Sequence, residues 1–401
     1  MIIAARETKI NTGYKLTDTG IIPEDWNTET LENLCVPGGL VRGPFGGSLK
    51  KEVFVKDGFK VYEQRNAIYR DVEVGSYFIN ENKYRELRRF EIRKGDFIVS
   101  CSGTIGKIFQ IPRDAKAGII NQALLKIKTD SRIIHDQFFF YVFDWDKFQQ
   151  KIIDNTQGGA MQNLVGMDIF RNIVIPLPPL SEQHAIATVL SDVDALITSL
   201  DKLIAKKRNI KQATMQQLLT GKMRLPGFSG EWEAKTLGVI LRVRHGKSQQ
   251  NVVVSDGKYP ILATSGEIGR TNDYLYDKPS VLIGRKGTID SPQYIDSPFW
   301  TIDTLFYTEI SNFYHPRFVF YLFNMIDWLR YNEASGVPSL NASTIENIEI
   351  QCPSLPEQIA IATVLSAMDA EIVALEQRRD KTRALKQGMM QELLIGKTRL
   401  L

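Results

Sequence analysis

The sequence predicts an α+β protein in which two mixed α/β globules are joined by two long helices. The helices are expected to pair as an antiparallel coiled coil, giving a pseudo-two-fold, circular organisation. Three observations carry this. The segment Ile175 to Leu225 returns as Ile350 to Leu400 without a gap and with about half its positions identical. Apolar residues in both copies recur at alternating steps of four and three. Each copy also follows a region of roughly 150 residues that reads as strands with a late helix.

The helices come first because the repeat is strongest there. IPLPPLSEQHAIATVLSDVDALITSL stands over IQCPSLPEQIAIATVLSAMDAEIVAL, and KQATMQQLLTGKMRL over KQGMMQELLIGKTRL. The apolar positions are Ile186, Leu190, Val193, Ile197, Leu200 and Ile204, and then Ile361, Leu365, Met368, Ile372 and Leu375. That period is a coiled-coil seam. Pro178, Pro179, Pro353 and Pro356 stand where a missing N–H costs nothing, and Gly221 and Gly396 supply a left-handed residue to end each helix. About 40 residues make a rod of roughly 60 Å. Such a rod cannot bury its stripe alone, so each copy is expected to pair with the other; the alternative is that each packs on its own globule as ordinary core.

Residues 1–20 are mixed and unpatterned and read as an N-terminal arm. Residues 21–174 form the first globule, 175–224 the first long helix, 225–349 the second globule and 350–401 the second long helix. The globules echo one another in order. IPEDWNTETLENL answers FSGEWEAKTLGVI, matching Trp26 with Trp232 and Leu31 with Leu237. Asp57-Gly58 answers Asp256-Gly257 before a short apolar strand, and SGTIG from Ser102 answers KGTID from Lys286. GDFIVSCSGTIGKIFQI and PSVLIGRKGTIDSPQYI read as strand, glycine turn, strand. FFFYVFDWDKFQQKI and HPRFVFYLFNMIDWLRY read as amphipathic helices before glycine loops at Gly158-Gly159 and Gly336. The first long helix runs on through GKMRLPGFSGEW, whereas the second closes on GKTRLL, and its matching continuation, GIIPEDW, lies near the other terminus. If the halves are equivalent, the segments at Ile22 and Leu400 must lie together and the globules at opposite ends of the helix pair.

Composition is that of a soluble globular protein: 401 residues, 43% hydrophobic, 24% charged, net charge +4. Three cysteines without close spacing suggest neither a disulfide framework nor a zinc site. Apolar runs such as Phe138 to Phe143 are too short to span a bilayer, and a cytoplasmic, non-membrane protein is expected.

No catalytic constellation assembles. GPFGGSLKK from Gly43 and SGTIGK from Ser102 both miss the Gly-Lys-Ser/Thr register of a phosphate loop. The four histidines, His135, His184, His245 and His315, are scattered. The chain is read as non-catalytic, with no cofactor and no metal. Binding fits better. Lys50, Lys51, Gln64, Arg65, Asn66, Arg88 and Arg89 in the first globule, and Arg242, Arg244, Lys247, Gln249, Gln250, Arg285 and Lys286 in the second, combine cations with amides. Lys and Arg neutralise phosphates, and Arg, Asn and Gln offer paired contacts to base edges. These are the candidate DNA-binding residues; the alternative for each is a solvated charged surface.

The chain resembles the specificity subunits of type I restriction-modification systems along nearly its whole length. The carriers are the IPEDW and GEWEAKTLG openings, the GTIG-type turns, the Asn163-Leu164 and Ser339-Leu340 segments and, above all, PLPPLSEQHAIATVL and PSLPEQIAIATVL. Cys352 in place of Leu177 and Asp290 in place of the last Gly of SGTIG are mild departures. The resemblance implies that each globule is a target-recognition domain reading one half of a split, asymmetric site on double-stranded DNA. It implies that the helix pair sets the spacing and docks two modification subunits, which carry methyl transfer, with ATP-driven restriction subunits joining them. Glu182, Gln183, Glu357 and Gln358 match the family motif at both helix starts and are the candidate partner-binding residues, with helix capping as the alternative. Removing matched blocks near Lys207 and Thr382 is expected to shorten the unread gap. The rival readings are a coiled-coil protein-interaction scaffold and an orphan DNA-binding regulator without restriction partners.

Overall fold

The computed structural model describes residues 11–154 and 163–400. The Gly158-Gly159 loop and the first ten residues of the expected arm lie outside them. Two compact units emerge, Met1–Thr198 with Asp380–Leu401, and Ser199–Arg379. Each contains one globule and a part of both long helices, Leu180–Leu218 and Leu355–Leu393.

In the first unit, the rest of the expected arm is a hairpin. Tyr14–Thr17 pairs antiparallel with Gly20–Pro23, and the Tyr14 hydroxyl donates to the Gly396 carbonyl at 3.2 Å. Asn27–Thr30 then pairs with Val174–Leu177, the strand that feeds the first long helix. A four-stranded antiparallel sheet follows in the order Ile108–Gln110, Phe97–Ser100, Leu124–Thr129, Cys35–Arg42. A second sheet is built around the parallel pair Phe59–Tyr62 and Gly118–Ile120.

The second unit repeats this plan. Its four-stranded sheet runs Gln293–Ile295, Ser280–Gly284, Leu305–Ile310, Leu241–His245, and its other sheet is built around the parallel pair Tyr259–Ala263 and Trp300–Thr301. Glu233–Thr236 pairs with Glu349–Cys352 as the entry to the second long helix. Both strand, glycine turn, strand segments are antiparallel pairs. The late helices are shorter than their apolar patterns. The first breaks into Asp136–Asp144 and Asp146–Ile152 at Trp145, which adopts extended dihedrals; the second covers Pro316–Phe323 and gives way to a 3-10 turn at Trp328–Tyr331.

The apolar stripe of each long helix serves two purposes. Its first turns are globule core: Ile186, Ala187 and Leu190 pack with Trp26, Phe139 and Phe143, while Ile361, Ala362 and Leu365 pack with Phe318, Phe323 and Trp328. The far ends join the same cores, Met390, Leu393 and Leu394 in the first unit and Met215, Leu218 and Leu219 in the second. Between these anchors the helices pair directly. Asp194 meets Lys386 at 2.7 Å in the first unit; in the second, Asp201 meets Arg379 at 3.4 Å, Lys207 meets Glu371 at 2.6 Å, and Lys211 pairs with Asp369. Residue numbers rise on one helix as they fall on the other, so the pairing is antiparallel. The seam is less apolar than its period suggests. Leu200, Ile204 and Ile372 are buried, but Val193, Ile197, Met368 and Leu375 are half-buried, and lysines occupy positions 207 and 211. Gly221 and Gly396 both adopt φ +68°, the left-handed residue that closes each helix.

One finding departs from the apolar-run reading. The second long helix contains an 18-residue window of mean hydropathy 1.6, long and apolar enough by composition alone to cross a membrane. Within that helix Asp369 accepts the Tyr321 hydroxyl at 2.7 Å and pairs with Lys211, the polar partnerships of a packed helix.

Candidate nucleic-acid interface

The candidate residues lie partly on loops that leave the sheets, and also on helix Gln64–Tyr69, the 3-10 turn Arg88–Phe90 and strand Leu241–His245. In the first unit the chain turns at Gly43, after strand Cys35–Arg42, into a loop bearing Phe45, Lys50 and Lys51. Lys50, Lys51, Arg88 and Arg89 are exposed. Among the described residues none of the four makes a salt bridge. Arg89 lines a cavity of about 430 Å³ with Arg42, Phe45, Gln122, Met167 and Arg171. Arg65 is held by Glu63 at 3.0 Å, and Gln64 is half-buried against the Gly103 turn, its Oε1 without a hydrogen-bond partner among the described residues.

Asn66 requires a correction. It is fully buried, accepts the Glu63 N–H at 2.8 Å and donates to the carbonyls of Asp71 and Val74 at 2.8 and 2.7 Å. With Glu63 it closes a capping box on helix Gln64–Tyr69, so every hydrogen-bonding group of its amide is committed to the fold.

In the second unit, Arg242 and Arg244 project outward from strand Leu241–His245, since Leu241 and Val243 face the core. Both have carboxylate partners, Glu346 at 3.6 Å and Glu309 at 2.9 Å, and the hydrogen bond that Arg244 donates to Glu309 raises the arginine's pKa further. Lys247 has an exposed side chain on an anchored backbone: its N–H donates to Thr301 at 2.8 Å and its carbonyl accepts the Trp300 indole at 2.9 Å. Gln249 is half-buried and Gln250 exposed. Arg285 and Lys286 line a cavity of about 190 Å³ with His245, Glu333 and Asn341.

The helix starts require the second correction. Glu182 and Gln183 are 0% and 1% exposed, and Glu357 and Gln358 are both 1% exposed, so their side chains present no docking surface. They form the same buried node in each unit. Glu182 accepts the Trp26 indole at 2.8 Å and Arg399 at 2.7 Å; Glu357 accepts the Trp232 indole at 3.2 Å and Arg224 at 2.7 Å. Hydrogen bonding to these carboxylates pushes the pKa of both arginines up, and Arg399 in turn lowers that of Asp25. Gln183 and Gln358 accept the backbone N–H of His135 and His315 at 2.7 and 2.9 Å. The arginines are legible in the repeat as KMRL and KTRL, but only the fold shows what they hold.

The Arg399 node brings the first and last described segments of the chain together. Leu400 packs against the core that contains Ile22, and Arg399 meets both Asp25 and Glu182. In the second unit the same node is made by Arg224 and Trp232, which are close in sequence. The expected proximity of Ile22 and Leu400 is therefore observed.

A family model for the type I restriction modification DNA specificity domain matches residues 23–211 and, a second time, residues 229–383. The chain belongs to this family. The two matched segments are the two structural copies, each a globule with its long helix. The MjaVIII specificity subunit of Methanocaldococcus jannaschii is 25% identical over 355 residues, covering 77% of this chain and 80% of the relative. The putative MjaX specificity subunit of the same organism is 23% identical over 424 residues, covering 96% and 97%. The crystal structure of a type I S subunit from M. genitalium shares the fold, with a TM-score of 0.58 at 18% identity over 95% of this chain and 98% of that one.

Within this specificity-domain fold, three residues outside the basic and amide clusters, Arg42, Phe45 and Gln122, share the 430 Å³ cavity with Arg89. In the sequence Phe45 is marked only as an aromatic among the glycines of GPFGG. Cys35, Cys101 and Cys352 are buried free thiols, pushed up to about 12, 12 and 11 by burial.

Proposed function

We propose that this chain is the DNA-specificity subunit of a type I restriction-modification complex, each globule reading one half of a bipartite, asymmetric site. The observation that carries the reading is the duplication itself: two globules whose four-stranded sheets have the same strand order, each locked by the same Trp–Glu–Arg node, within a family of DNA specificity domains. One polypeptide with two non-identical readers suits a split site whose halves differ. The helix pair acts as a ruler, because half-sites read from one face of DNA must be separated by about one helical turn, roughly 34 Å.

In this reading Lys50, Lys51, Arg88, Arg89, Lys247 and Lys286 neutralise phosphates, and Gln64, Arg65, Gln249, Gln250 and Arg285 supply directed hydrogen bonds. Arg242 and Arg244 exchange their carboxylate partners for DNA on binding. Two modification subunits dock on the chain, and restriction subunits join them in the cytoplasm; methyl transfer, ATP hydrolysis and cleavage belong to those partners. Since Glu182 and Glu357 are buried, docking falls on exposed apolar helix positions such as Leu203 and Ile210, 38% and 42% exposed and two turns apart.

The test is modified-base sequencing of a host carrying the complete system. Replacing the second globule is expected to change one half-site only, and removing matched blocks near Lys207 and Thr382 to shorten the gap with both half-sites retained. Both half-sites changing together, or a gap indifferent to helix length, would overturn the reading.

A further inference from the structure

Phe45 is 93% exposed, and its backbone is held on both sides. The Gly43 N–H donates to the Leu124 carbonyl at 2.9 Å, and a Cβ on Gly43 would come within 1.8 Å of the Asn121 carbonyl oxygen, so only glycine allows this approach. Beyond the ring, the Ser48 N–H returns to the Phe45 carbonyl at 2.9 Å. The aromatic ring is thus displayed from an anchored turn. It stands on the rim of the cavity that also holds Arg42, Arg89, Gln122 and Arg171. Lys50 and Lys51 follow on the same loop, exposed and without salt bridges among the described residues.

Arg171 has carboxylate partners in Glu32 at 3.8 Å and Asp168 at 3.7 Å, whereas Arg89, Lys50 and Lys51 have none among the described residues. An apolar ring in water beside such unpaired cations is unfavourable in the free protein, and one class of ligand relieves both. A nucleic-acid duplex offers phosphates to the cations and flat apolar base faces to the ring. Phe is among the side chains that proteins drive between base steps, unstacking and bending the duplex.

We propose that Phe45 is a DNA-inserting side chain, wedged between adjacent base pairs of the half-site read by the first globule while Arg42 and Arg89 hold the flanking phosphates. The inference rests on the DNA-reading role proposed above and adds a distortion which that role does not require. The second globule supplies an internal control. Gly246 is the counterpart of Gly43, with a Cβ there 2.0 Å from the Ile302 carbonyl oxygen, but two residues further on stands Ser248. The distortion therefore belongs to one half-site.

The experiment uses the chain assembled with its modification subunits and duplexes containing the site located by modified-base sequencing, with 2-aminopurine placed at one step per duplex across both halves. Bound wild-type complex is expected to raise fluorescence at one step of the first globule's half-site and at none of the second's. Phe45→Ala abolishes the rise and weakens binding about 5- to 150-fold, the loss typical of a base–aromatic stack, with the salt dependence unchanged. Phe45→Trp keeps the rise. Tight, salt-dependent wild-type binding with no rise, or a rise that survives Phe45→Ala, overturns insertion and leaves DNA reading intact. Loss of co-purification in Phe45→Ala with DNA binding unchanged makes the ring a protein contact and also overturns it. A wild-type complex that shows no salt-dependent DNA binding overturns both proposals.

Discussion

Glu182 and Arg399, 217 positions apart in the chain, form a two-point ion pair at 2.7 and 2.8 Å. The carboxylate is fully buried, with the Trp26 indole as a further donor, and the same guanidinium reaches Asp25 at 2.7 Å. Arg399→Ala strands a buried carboxylate, and breaking a buried pair from one side costs about 3–5 kcal/mol. Glu182→Gln, which keeps an acceptor for the indole, is expected to cost less. Hydrogen exchange checks both, with protection lost in Met1–Thr198 and Asp380–Leu401 while Ser199–Arg379 is unaffected; Arg224→Ala gives the converse. A loss spread evenly over both units would show that the nodes are not local clamps.

Between those clamps, apolar and ionic contacts contribute unequally to the helix pair. Ile204 is 2% exposed, so Ile204→Ala is expected to cost about 2–5 kcal/mol in urea denaturation. Lys207 and Glu371 meet at 2.6 Å but are 31% and 47% exposed, and Lys207→Ala is expected to cost about 0–1 kcal/mol, vanishing at high salt. Equal losses would mean that the ionic rows, rather than the buried residues, hold this segment.

The duplication is plain in the sequence because helix periodicity, αL glycines and paired tryptophans are local signals that survive divergence. Gly221 and Gly396 adopt φ +68° where the repeat places them, and the meeting of Ile22 with Leu400 follows from symmetry alone. What one sequence conceals is the partner of a polar side chain. Glu182 and Glu357 resemble solvated helix-start carboxylates until Arg399 and Arg224 arrive from distant positions to bury them. Asn66 sits in a run that looks like a DNA-reading cluster, although Glu63 three residues earlier already spells a capping box. The late helix in FFFYVFDWDKFQQKI splits because the extended backbone of Trp145 overrides a continuous apolar pattern.

A pH dependence follows from the histidines that precede the late helices. The Nδ1 atoms of His135 and His315 are buried without hydrogen-bond partners among the described residues, and the His135 ring lies 4.0 Å from that of His184. Burial lowers both pKa values below 6.5, with His184 adding to the effect at His135 against a smaller opposing pull from Asp136, and Arg317 adding to it at His315. A histidine whose folded pKa is depressed binds fewer protons folded than unfolded. Its contribution is complete above the unfolded value near 6.5 and is lost as pH falls through the folded value. Melting temperature is therefore expected to be flat from pH 8 to about 6.5 and to fall below that. His135→Phe with His315→Phe should flatten the acid limb. An unaltered acid limb in the double variant would assign it to carboxylates instead.

The two kinds of candidate residue in the first globule separate by stability against salt dependence. Asn66→Ala leaves the partly buried Asp71 and Val74 carbonyls without their donor, at a cost of about 0.5–1.5 kcal/mol for each hydrogen bond lost, while the sequence preference of the remaining folded protein is unchanged. Arg88 and Arg89 are exposed and form no salt bridge among the described residues, so Arg88→Ala and Arg89→Ala are expected to leave stability within about 0.5 kcal/mol. Each instead reduces the slope of log affinity against log salt by about one if its guanidinium meets a phosphate, weakening all DNA sequences alike. Fluorescence anisotropy over a salt series measures that slope. A slope unmoved by either substitution would take Arg88 and Arg89 off the DNA, and a changed base preference in Asn66→Ala would show that its neighbours Gln64 and Arg65 read bases in an orientation set by that capping box.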